Sequence, residues 1–148
     1  MDREDLNEFL AELGLDPKVH GEIERVDPGS VRIRMPFHSR LLRMGNTISG
    51  PALMGLADRA MYLLVQTVAG PVVEAVTTSL HIDFLRRPAR ADVIAEARLL
   101  RHGRRLVVGD VYLYSDGDQR PVARAAVTYA LPDARDPAAP PPPADPDP

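Results

Sequence analysis

The chain has no cysteine and no tryptophan, and only one of its 18 basic residues is a lysine. The missing cysteine excludes a disulfide scaffold, a thiolate metal site and a cysteine nucleophile, and it fits a reducing, cytoplasmic setting. No stretch approaches the ~18–20 uninterrupted apolar residues of a membrane span, so no membrane partner is expected. Residues 1–15 are acidic and amphipathic, without the basic and apolar regions of a secretory signal. A net charge of −3, from 18 bases and 21 acids, argues against a nucleic-acid partner. No phosphate-binding glycine loop, dinucleotide fingerprint or serine-centred nucleophile elbow is present. His20, His38, His81 and His102 show no metal spacing. No metal and no redox cofactor is therefore expected.

What the chain does have is unevenly placed. Eight of its 15 prolines fall in residues 132–148, a stretch that cannot bury a core and is expected to be disordered or extended. The division that follows is a helical segment at 1–15, one domain at 16–131 and the Pro/Asp-rich tail at 132–148. Charge follows the same division. Residues 1–14 carry five acids and one Arg, and the tail carries four acids and one Arg. The 15–131 body holds 16 bases against 12 acids. A mildly basic body with acidic ends suits attraction of a small anionic ligand.

Periodicity supplies the elements. Leu6, Phe9, Leu10 and Leu13 recur at helical spacing before Gly14, which predicts a helix over 4–13. Segments 22–26 and 31–35 flank Asp27-Pro28-Gly29-Ser30 and read as a hairpin. Residues 36–48 show no period and read as a loop. From Ser49 or Gly50 to Gly70-Pro71 the chain is apolar nearly all round, the pattern of a buried helix, with Asp58, Tyr62 and Gln66 as a polar stripe spaced by four. Four alternating segments follow, near 76–84, 93–100, 107–114 and 123–131, joined by turn-prone links. In the first of them Thr78, Leu80, Ile82 and Phe84 fall on one face, and Thr77 and His81 on the other. One buried helix and one sheet with an apolar face must cover each other, an α+β arrangement.

Asp58 is the sharpest chemical feature. A carboxylate in the middle of a helix with almost no other charge is costly to bury alone. It either pairs with Arg59 or another arginine, faces solvent at an interface, or serves as a desolvated base or nucleophile. At the start of the same helix, backbone N–H groups near Ser49-Gly50-Pro51 are able to hold an oxyanion. Gly50 and Asp58 are eight residues apart, about 12 Å along a helix, too far for one reacting carbonyl to meet both. If the two act together, two copies of the helix must lie antiparallel across a two-fold axis.

Ser49-Gly50-Pro51-x-x-x-x-Leu56-Ala57-Asp58 resembles the His-Gly-Gly-x-x-x-x-Leu-Ala-Asp helix of the PaaI-type hotdog-fold acyl-CoA thioesterases. Thr77 to Pro88 resembles the strand that follows that helix, and Gly103-Arg104-Arg105 with Val107 to Val111 resembles the next hairpin. The likeness covers about residues 20–131. It implies an antiparallel six-stranded sheet wrapped around one long central helix, a homodimer or homotetramer, and an acyl-CoA substrate with no separate cofactor. It also implies roles: Asp58 as base or nucleophile, the Gly50 N–H as carbonyl polariser, Ser49 and Asn46 as neighbouring polar groups, and Tyr62 as a hydroxyl that steers water. Substrate and coenzyme A contacts are implied at Arg43, Thr77, Thr78, Arg86, Arg87, Arg104 and Arg105. Arginine suits that task because its fork matches phosphate oxygens. The chain departs from the pattern where Ser49 replaces the His, Pro51 the second Gly, and Arg43 an Asn or Gln. Those departures motivate an alternative, a protein that binds an acyl-CoA or similar apolar ligand without hydrolysing it. Dehydration of a hydroxyacyl-CoA is disfavoured, because position 63, where such relatives carry His, is Leu63.

Overall fold

The computed structural model describes residues 1–133. From residue 134 onward, the tail expected to be disordered lies outside the described residues. Helix α1 (Arg3–Glu12) starts on a reciprocal cap: the Asp2 side chain accepts from the Asp5 N–H, and Asp5 accepts from the Asp2 N–H. It ends where Gly14, at φ 71°, lets the Gly14 and Leu15 N–H groups return to the Ala11 and Leu10 carbonyls. Leu6, Phe9 and Leu10 are buried, so the helix is anchored by the spacing that predicts it. A single turn, α2 (Pro17–His20), leads into the sheet.

Strands β1 (Glu22–Asp27) and β2 (Ser30–Met35) form the expected hairpin, with Gly29 supplying the positive φ. The segment read as a plain loop holds more than that. It contains a 3-10 turn at Ser39–Leu41 and two paired strands of two residues each, β3 (Leu42–Arg43) and β4 (Thr47–Ile48). Two-residue strands are too short to leave a period in the sequence. Helix α3 (Gly50–Ala69) follows, then β5 (Val76–Phe84), β6 (Val93–His102), β7 (Leu106–Ser115) and β8 (Pro121–Ala130).

The six long strands form one antiparallel sheet in the order β1-β2-β6-β7-β8-β5, and α3 packs across β2, β6, β7, β8 and β5. This is the hotdog arrangement, a sheet curved around one helix. Several inward positions under the helix are small, with Ala95 and Ala97 on β6, Gly109 on β7, and Ala123 and Ala125 on β8. Small residues let the helix axis approach, and Leu53, Met61 and Leu64 fill the space between. Burying each such side chain contributes about 1.5–3 kcal/mol.

The outer face of the sheet is a charge lattice rather than a simply wetted surface. Glu24 pairs with Arg32 at 2.8 Å and also with Arg34. Arg32 reaches Glu96 at 3.1 Å, and Arg34 reaches Asp92 at 3.1 Å and Asp116 at 3.0 Å. Partial burial works to raise the Glu24 pKa, but the hydrogen bonds from the two arginines outweigh it and hold the carboxyl below its ordinary value.

Strand β5 departs from the expected alternation. Thr77 pairs with Tyr129 and Ser79 with Thr128, which leaves Thr78 as an extra residue in a β-bulge. The bulge turns Thr77 to the same inward face as Leu80, Ile82 and Phe84, whose partners are Val127, Ala125 and Ala123. The simple period of two had placed Thr77 outward.

Candidate active site

Asp58 lies on the side of α3 that faces β8 and β5. Its Oδ1 accepts two hydroxyl donors, Thr77 Oγ1 at 2.6 Å and Tyr129 Oη at 2.7 Å. It does not pair with Arg59. The Arg59 Nη2 instead reaches His20 Nδ1 at 2.8 Å, and among the described residues no cation pairs with Asp58. The carboxylate is thus held by neutral donors, with Oδ2 left without a hydrogen-bond partner among the described residues. This is a chemically open acceptor on a half-buried acid.

The start of α3 is built in a complementary way. The Ser49 side chain caps the helix by accepting from the Ala52 N–H at 3.2 Å, and the Ser49 carbonyl takes the Leu53 N–H. Pro51 has no N–H to offer. Of the first-turn donors, the Gly50 N–H alone has no acceptor among the described residues. The replacement of a glycine by Pro51 therefore concentrates the free donor at Gly50. Phe84 covers this point, with its ring tip 3.3 Å from where a Cβ on Gly50 would sit.

Gly50 opens on a groove of about 710 Å³ lined by Arg43, Leu53, Phe84, Arg86 and Arg87 among others. Three expected arginines thus meet the expected carbonyl polariser, beside apolar walls that suit an acyl or aryl group. Arg87 also donates to the Gly45 carbonyl. Asn46 does not join this groove. It sits at φ 61° in the β3–β4 turn and lines an adjoining cavity with Arg86 and Arg87.

Other expected site residues lie elsewhere. The Thr78 hydroxyl bonds to the Thr128 carbonyl at 3.3 Å, on the bulge. The Tyr62 hydroxyl points to the Val73 carbonyl at 3.4 Å, and its ring lies between Phe9 and Tyr129, so the structure gives it a packing role. Arg104 and Arg105 flank the far end of α3 near Ala69, with Arg105 paired to Asp133. Gln66, the third member of the polar stripe, is fully buried and holds both the N–H and the carbonyl of Val72. His38 Nδ1 accepts from Arg40, and His81 is exposed beside Asp83.

Sequence reasoning missed Tyr129. The signal was present: a tyrosine at an inward position between Val127 and Leu131, whose hydroxyl needs a partner once buried. Gly50 and Asp58 lie eight residues apart on one helix, and Asp58 is not among the residues that line the Gly50 groove.

Comparison with known proteins bears on the family and the fold. A family model described as the thioesterase superfamily matches residues 45–122. A solved protein of Silicibacter sp. TM1040, named provisionally as a thioesterase, is 38% identical with a TM-score of 0.79, covering 89% of this chain and 92% of its own. A mutant thioesterase of Pseudomonas aeruginosa is 26% identical with a TM-score of 0.76, covering 88% and 94%. A protein of Thermoplasma acidophilum, provisionally named an esterase, is 29% identical over 130 residues, covering 88% of this chain and 97% of its own.

Proposed function

The chain belongs to the thioesterase superfamily, and from that premise we propose that it hydrolyses the thioester of an acyl- or aroyl-coenzyme A in a site shared between two copies. The observation that carries this reading is the pair of open groups on α3: the Asp58 Oδ2 and the Gly50 N–H, each without an internal partner among the described residues. Their separation of about 12 Å along the helix favours a second, antiparallel copy. β5 is a sheet edge with Val76 exposed, which suits pairing with another chain.

In this scheme the Gly50 N–H of one subunit donates to the thioester carbonyl oxygen as charge develops there. The Asp58 Oδ2 of the other subunit takes a proton from water as the water oxygen bonds to the carbonyl carbon. The C–S bond then breaks, and the departing thiolate receives that proton. Water and thioester become free acid and thiol, with no cofactor. Arg43, Arg86 and Arg87 border the groove and suit the phosphates of the leaving group.

Asp58→Asn tests the assignment with a thiol-release assay over short, medium, long and aromatic acyl-CoAs. Turnover should fall at least about 100-fold in a folded protein. Unchanged turnover refutes Asp58 as the base. Tight binding by the unmodified protein, with no thiol released from any member, would make it an acyl-CoA-binding module instead.

A further inference from the structure

Tyr129 is 3% exposed, and its hydroxyl meets the same carboxylate oxygen that Thr77 meets. The convergence is set by the sheet. Thr77 and Tyr129 are register partners on β5 and β8, and the bulge at Thr78 turns Thr77 to the inward face that Tyr129 already occupies. We propose that Tyr129 is the positioning residue of Asp58: it saturates Oδ1 together with Thr77, so that Oδ2 is the single oxygen presented to water. This rests on the reading of Asp58 as the base.

Several features support it. The Tyr129 phenol also lies 3.1 Å from the Asp58 backbone carbonyl, but the shorter contact to the charged oxygen is the stronger hydrogen bond. Burial raises the phenol's pKa above its ordinary value, with the neighbouring Asp58 adding to the shift. It therefore stays a donor across the working pH range. The ring is fixed from behind. Its centroid is 6.1 Å from that of Tyr62, which is 6.4 Å from that of Phe9 on α1. The N-terminal helix thus braces the ring that orients the carboxylate, although α1 contributes no group to the reaction.

The test is Tyr129→Phe, which keeps the ring stack and removes one donor. The acid limb of the kcat–pH profile should move up by about one pH unit. At neutral pH kcat should fall about tenfold with KM nearly unchanged. Replacing Tyr129 with 3-fluorotyrosine, a stronger donor of nearly the same shape, should move the limb down and serves if the Phe variant folds poorly. A loss of stability with the limb unmoved and kcat unchanged overturns the proposal, because a purely structural tyrosine would behave that way. Asp58→Asn run in parallel separates the two failures. If it abolishes turnover while Tyr129→Phe moves nothing, positioning fails and the base stands. If it leaves turnover intact, the base reading fails and positioning falls with it.

Discussion

The Met61 sulfur lies 2.6 Å from the point a Cβ on Gly109 would occupy, so α3 rests on the sheet at a residue with no side chain. The Arg98 carbonyl is 2.8 Å from the same point. Met61 is able to turn aside, but the strand backbone is not. Gly109→Ala should therefore destabilise the fold by about 1–3 kcal/mol, read as a lower urea midpoint with an unchanged slope. A variant as stable as the parent would show that the helix has room to lift.

The lattice around Glu24 makes stability depend on acid pH with a definite sign. Hydrogen bonds from Arg32 and Arg34 hold the Glu24 pKa below its ordinary value, against the opposing pull of partial burial. A carboxyl depressed in the folded state contributes stability above its unfolded pKa and loses it as the pH falls through the folded value. Glu24→Gln should cost about 1 kcal/mol at pH 7. The gap to the parent should begin to shrink below pH 4.5 and close at lower pH. Unfolding curves at several pH values check it, and a gap independent of pH contradicts it.

A shared site predicts complementation. Asp58→Asn subunits retain Gly50, and Gly50→Val subunits retain Asp58. After exchange at equal amounts, half the dimers are mixed and each has one intact site, so activity should recover to about a quarter of the parent's. Absence of recovery after mass spectrometry has verified exchange would mean that each chain works alone.

The arginines at the groove predict a split between substrates. Arg86→Ala with Arg87→Ala should raise KM for coenzyme A thioesters about tenfold or more. The same acyl group on N-acetylcysteamine, which has no phosphates, should be hydrolysed as before. Equal loss on both would place these residues in the chemistry or in packing.

Much of this was legible from residue spacing. The helix at 50–69 announced itself through its apolar circumference and its caps, and the six long strands through their alternation, because burial on one face leaves a regular trace. Asp58 stood out because a lone charge on an apolar helix demands an explanation. Its partners did not, since Thr77 and Tyr129 are 52 residues apart and meet only through strand register. Nothing local to Arg32 and Arg34 showed that Glu24, Asp92 and Asp116 would converge on them.

The bulge at Thr78 behaves like a frameshift in the side-chain pattern of β5. Residues after it keep the parity that the sheet dictates, while those before it are turned over. Paired at the same length without the bulge, the strand would set Thr78 opposite Tyr129 and turn Thr77 outward. The extra residue thus decides which of two adjacent threonines meets Asp58. In this strand, the count of residues is itself a functional property.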